Sequence, residues 1–151
     1  MSKYDDASWH YGGEYPENLP DENAAIHIGM FITWCIDNDL LSEEQKEDNH
    51  EDLQKVKNRK MTGGEFLINN CDEKFSASDL CELGNGFAGD YYNDGTKFTE
   101  KHGCYGNDFS ELFAEHETVY HVEDTWENYE KIKPIVDKRF EEWKKYKENL
   151  E

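Results

Sequence analysis

A chain of 151 residues with 35 acidic and 16 basic side chains carries a formal net charge of −19. Such a surplus repels nucleic acid and anionic membranes and speeds capture of a strongly basic partner. Hydrophobic residues make up only 36%, but 4 Trp, 9 Tyr and 8 Phe bury large areas each, which excludes an acidic disordered tail. One domain over residues 1–151 is expected, large enough to bury a core without a metal or a disulfide.

In chain order the signals are mostly helical. After Pro20, Asp21 and Glu22 sit near the positive end of a helix dipole, and Ala24, Ala25, Ile28, Phe31, Ile32, Cys35 and Ile36 follow at helical spacing. Ile26, Met30 and Trp34 fill another face, so this helix is central and buried, and Gly29 in its middle admits a close neighbour. Ser42 with Gln45 forms a capping box opening a polar helix to about Lys60, and Thr62 with Glu65 repeats it before Phe66, Leu67 and Cys71. Ser76 is expected to cap a helix whose stripe is Leu80, Leu83, Phe87 and Tyr91. Asn93-Asp94-Gly95 predicts a turn, with a short hairpin around it.

Asp108 with Glu111 predicts a short helix containing Leu112 and Phe113, and residues 118–122 read as a strand. Asp124, with Glu127 three residues on, is expected to cap a last helix with the stripe Tyr129, Ile132, Val136, Phe140, Trp143 and Tyr146, kinked at Pro134. The expected fold is a mainly α, compact single-domain helical bundle with at most a small β element.

The charge is unevenly placed. Residues 61–124 carry 14 acids and 3 bases, whereas residues 125–151 carry 7 of each. The surplus suits either a solvated surface or an acidic docking face, although solubility alone asks for a charge of only about 2–8. Cys35, Cys71, Cys81 and Cys104 form no C-x-x-C pair and no zinc-finger spacing, so free thiols are expected. The N-terminus lacks a signal-peptide h-region and the longest apolar stretch, 24–36, is too short to span a bilayer. A cytoplasmic protein that binds neither membrane nor nucleic acid is expected.

Three constellations carry candidate chemistry. The first, Asp90 to Lys101, approaches a calcium loop with Asp90, Asp94 and Gly95 in place, but Tyr92 and Lys101 stand where oxygen ligands are required. The second gathers Asp5, Asp6, His10 and His27 with His121, Glu123 and Asp124, the residue types of a metal hydrolase or a general acid/base pair, at spacings that match no ligand pattern. Duller roles exist for each: Asp124 as a cap, His27 as a hydrogen-bonded core histidine, Trp9, Tyr11 and Trp126 as packing anchors. No nucleophile or phosphate-loop motif is present, Gly84-Asn85-Gly86 lacking its third glycine.

The third is the acidic, aromatic segment 79–117. Glu82, Asp90, Tyr91, Tyr92, Asp94, Tyr105, Asp108, Glu111 and Glu115 are its candidate partner-binding residues, with Tyr92 and Tyr105 expected at the surface, because aromatic anchors ringed by charge make interface hot spots. No residue is read as catalytic or as a metal ligand, and no cofactor is expected.

The segments YDDASWHYGG, NAAIHIGMFITWCI, MTGGEFLI, CDEKF and YHVEDTWENYEKIKPIVDKRFEEW, in this order, resemble a family of small, functionally uncharacterised bacterial proteins over nearly the whole chain, least around 88–117. Members of this type are similar in size, acidity and lack of motifs to cytoplasmic immunity proteins of toxin systems, including contact-dependent growth inhibition. The resemblance implies a non-enzymatic immunity protein that neutralises a cognate basic toxin domain, such as a nuclease. Two alternatives stand beside it: a metal-assisted hydrolase using His10, His27, His121 and nearby acids, and a DNA-mimic regulator of a host protein.

Overall fold

The computed structural model describes residues 3–150, and the architecture is mainly α with one small sheet. Strand β1 (Lys3–Asp6) pairs antiparallel with β2 (Lys74–Ser76) and leads directly into α1 (Ala7–Tyr11). A 3₁₀ turn, Asp21–Ala25, runs into α2 (Ile26–Asp37), followed by α3 (Glu43–Asp48), α4 (His50–Lys57) and α5 (Gly63–Asn70). After β2 come α6 (Glu82–Tyr91), α7 (Lys97–His102), α8 (Tyr105–Leu112) and the long α9 (Trp126–Leu150).

Helix α2 is the axle. Every residue from Ile26 to Ile36 is buried, as its all-round apolar pattern requires. Its Phe31 ring packs against Trp34, Phe75, Phe87, Tyr91, Tyr92 and Tyr105, with centroids 5.0–6.3 Å apart. Each such fully buried ring contributes about 1.5–3 kcal/mol, and this offsets the low hydrophobic fraction.

The closest approach in the fold is the crossing of α2 and α5. A Cβ built on Gly29 would stand 2.1 Å from the backbone nitrogen of Gly64, and one on Gly63 would stand 1.9 Å from the Gly29 carbonyl oxygen. Only glycine on both helices allows that contact, so Gly29 does what its place in an apolar helix implies.

Several boundaries differ from the sequence reading. Ser42 caps α3, its Oγ accepting from the Gln45 N–H at 3.2 Å, but the polar helix breaks at Asn49 into α3 and α4. Thr62 and Glu65 form the expected capping box. Ser76 caps only a 3₁₀ turn, Ala77–Asp79, and Cys81 caps α6 instead. Asn93 to Gly95 turn between α6 and α7, with Gly95 at φ +94°, and no hairpin forms there. Helix α8 starts at Tyr105, before the expected Asp108 cap.

The strand expected at 118–122 is a 3₁₀ turn, Val119–His121, because the Thr118 side chain accepts from the Tyr120 N–H and closes the backbone locally. Thr125, not Asp124, caps α9, its Oγ1 accepting from Asn128 N–H at 3.1 Å. The helix runs through Pro134 to Leu150.

Helix α9 is fastened by polar clamps as well as by its apolar stripe. Arg139 grips both oxygens of Asp108 at 2.9 and 3.0 Å, and the Trp143 indole N–H donates to Asp90 at 2.9 Å. From α2, the Trp34 indole N–H donates to Asp137, and Tyr129 O–H reaches Asp37 in return. No described helix is long and apolar enough to cross a membrane, and all four cysteines are free.

Candidate functional site

The fold joins part of the second constellation and disperses the rest. Strand β1 delivers Asp5, the facing turn of α1 delivers His10, and the first turn of α2 delivers His27. One donor atom from each lies within 4.8 Å of the others. His10 Nε2 stands 2.7 Å from Asp5 Oδ1, and His27 Nε2 stands 3.4 Å from Asp5 Oδ2. The group lies at one wall of a cleft of about 300 Å³ whose lining also includes Tyr4, Trp9, Tyr92, Asn93 and Tyr105.

Neighbours orient each member. Asp5 accepts from the Tyr92 O–H at 2.7 Å and from the Asp6 N–H at 2.8 Å. His10 Nδ1 lies 2.7 Å from Tyr120 Oη, so with Nε2–H given to Asp5 a neutral His10 takes its second hydrogen bond from that phenol. His27 has no such support: its Nδ1 is buried without a partner.

The electrostatics follow. Burial opposes the Asp5 charge, but hydrogen bonds from His10 and His27 and their positive potential overcome it and hold the carboxyl well below the usual carboxylate range. Burial pushes His27 below the ordinary histidine value, outweighing the pull of Asp5, and His10 adds to the depression. Tyr92 is pushed far up by burial and then by the Asp5 charge. The resulting centre is a fixed carboxylate between two imidazoles, the donor set of either an acid/base pair or an N₂O metal site.

The remaining residues of that constellation lie elsewhere. Asp6 caps α1 and pairs with Lys3. His121 contacts Thr118 and Glu117, and Asp124 accepts from Thr62 Oγ1 at 2.6 Å. From this segment it is Tyr120 that reaches the group, through His10 Nδ1 at 2.7 Å, while the neighbouring His121 turns to Thr118 and Glu117. Trp9 is not a packing anchor: it is 56% exposed at the cleft rim, with Lys3 Nζ 5.0 Å over its ring.

The 79–117 segment also divides. Tyr91, Tyr92, Tyr105 and Asp108 are buried, which corrects the expectation that Tyr92 and Tyr105 face solvent. Tyr92 and Tyr105 pack around Phe31, where a core built from so few aliphatic residues needs their area, and Tyr91 O–H donates to Asp108. Asp90 and Asp108 hold α9 through Trp143 and Arg139. Glu82, Asp94, Glu111 and Glu115 remain exposed.

A second acidic concavity, which sequence reading passed over, lies at α3, α4 and α5. This bay of about 440 Å³ is lined by Glu47, Asp48, Glu51 and Asp52 with Asn49, His50 and Asn70, and no Lys or Arg enters its lining. It lies at the break between α3 and α4, where Asn49 leaves the helical conformation at φ −122° and ψ 28°. The signal was present in the run 43–52, which holds six acids against Lys46.

No curated protein and no solved structure matches the chain. A family model described as a domain of unknown function, DUF7832, matches residues 3–122, ending before α9, and the chain belongs to that family.

Proposed function

We propose that the chain acts by binding rather than by turnover, as an immunity-type protein that occupies and neutralises a cognate basic toxin domain in the cytoplasm. The observation that carries this reading is the uncompensated negative surface. Eight of the 16 basic residues are already within 4 Å of an acid of this chain, among them Arg59 on Asp37, Lys74 on Asp72 and Arg139 on Asp108. The charge left to act on a partner is therefore overwhelmingly carboxylate, concentrated in the α3–α4 bay and joined by Glu82, Asp94, Glu111 and Glu115.

Such a surface raises the association rate toward about 10⁸–10⁹ M⁻¹s⁻¹ at low salt. The buried tyrosines of 79–117 take no part in contact; they fix the elements that carry the exposed acids. Coexpression with the toxin domain encoded by a neighbouring gene tests the reading. Protection of the cell together with a salt-sensitive complex is expected. Neither protection nor a complex at low salt sinks it, and recovery of a host nucleic-acid-binding protein in place of a toxin transfers the reading to a DNA mimic.

One observation favours a second reading, a metal-assisted hydrolase: the Asp5–His10–His27 group beside an open cleft. That reading keeps His10 and His27 but loses His121, and it requires the group to hold an ion.

A further inference from the structure

We infer that Asp5, His10 and His27 form a binding site for one divalent first-row transition-metal ion, with coordination positions left open toward the cleft. The inference is independent of the binding-protein reading and is a precondition of the hydrolase reading.

Three observations carry it. First, His27 brings an imidazole to the cleft from the buried stretch Ile26–Ile36 of α2. There the polar Thr33 satisfies itself on the Gly29 carbonyl at 2.8 Å, whereas His27 turns Nε2 toward the buried Asp5 carboxylate and packs edge-on to the His10 ring, centroids 4.6 Å apart.

Second, the 3.4 Å between His27 Nε2 and Asp5 Oδ2 is long for an N–H···O bond and already suits two donors on one ion, whereas His10 Nε2, hydrogen-bonded to Asp5 Oδ1 at 2.7 Å, would lose its proton and draw back by a few tenths of an ångström to join them. Ligands at about 2.0–2.1 Å in tetrahedral arrangement stand roughly 3.3–3.4 Å apart.

Third, an outer layer is in place. Tyr120 Oη sits on the far nitrogen of His10 and Tyr92 O–H on the Asp5 carboxylate, each at 2.7 Å, the partners that set the ring orientation and basicity of ligands in metal sites. Two imidazoles and one carboxylate suit Zn²⁺, Fe²⁺ or Co²⁺ better than Ca²⁺ or Mg²⁺, which take oxygen ligands. When bound, such an ion lowers the pKa of a water or polarises a carbonyl entering from the cleft.

The test uses the full chain, stripped with chelator and dialysed against Zn²⁺ or Co²⁺. One tightly held ion per chain is expected, with the intense visible bands of a low-coordinate Co²⁺ site that has nitrogen ligands. A hydrated, six-coordinate Co²⁺ held at the exposed carboxylates of the bay would give only a pale spectrum. His10→Gln, at a half-buried position, should abolish tight binding, and Tyr120→Phe should weaken it about 10–100-fold, while His121→Ala leaves it unchanged. Far-UV circular dichroism confirms that each variant is folded; should His27→Gln not fold, His10→Gln and Tyr120→Phe still decide. Equal binding by wild type and His10→Gln, or a pale six-coordinate spectrum, overturns the site and the hydrolase reading with it. A loaded protein with no hydrolytic activity removes only the latter.

Discussion

The cleft and the bay treat carboxylates in opposite ways. Asp5 is 7% exposed and is met by the donors of Tyr92, His10 and Asp6, so its position is over-determined by groups from three parts of the chain. Glu47, Asp48 and Glu51 are exposed on short helices, and of the bay acids only Asp52 has a close neutral donor, Asn70. A buried charge must be solvated by the protein and so fixes local geometry, whereas exposed charges are solvated by water and act through their summed field. The cleft is therefore sensitive to single atoms, and the bay to net charge.

The largest effect is expected at the framework under the cleft. Gly29→Ala places a methyl against the α5 backbone, where neither helix can give way without moving His27 two residues earlier. A loss of about 3 kcal/mol or more is expected in denaturant unfolding, and a loss under 1 kcal/mol would show that the crossing does not hold the cleft together. Next comes Asp5→Ala, which strands the Tyr92 hydroxyl and leaves His10 and His27 without their shared acceptor. About 3 kcal/mol is expected.

Against these, Glu47→Gln, Asp48→Asn and Glu51→Gln should each change stability by no more than about 0.5 kcal/mol. Combined, they should slow association with a basic partner at low salt and have little influence at high salt, where the field is screened. The contrast between the regions breaks if the triple variant costs as much stability as Asp5→Ala, or if its effect on association survives high salt.

Legibility in the sequence divides along the same line. Local rules found what local physics decides: the apolar run of α2, the Thr62–Glu65 box, the α9 stripe and the glycine that meets α5. They failed where a side chain's partner lies far along the chain. Tyr92 and Tyr105 have the composition of interface anchors, and only the packing of α6 and α8 against Phe31 takes them inside.

The site shows the same limit. Asp5, His10 and His27 drew attention as residue types, but β1 had no readable strand signal, and its pairing with β2 some 70 residues on is what sets Asp5 opposite α2. Tyr120, not His121, reaches His10, and that contact spans 110 residues of sequence, so no local pattern marks the phenol as part of the site.

Asp124 lies between the two regimes, and its effect shows in the pH dependence of stability. It is half-buried over the α5 N-terminus, and burial pushes its carboxyl above the ordinary value, with Glu65 adding to the rise and the Thr62 hydrogen bond opposing it. A group whose pKa is raised on folding favours the native state while it is protonated. That contribution is fully present below the unfolded value of about 3.9 and is lost as pH rises through the raised folded value. Asp124→Asn keeps an acceptor for Thr62 Oγ1 and cannot ionise. Its stability relative to wild type should therefore be lowest near pH 3 and should climb as pH rises through the raised carboxyl value, by less than the Asp5→Ala loss. Urea midpoints measured from pH 3 to 7 check this: a difference that stays flat would place Asp124 with the solvated carboxylates of the bay, and one that falls with pH would reverse the sign of its environment.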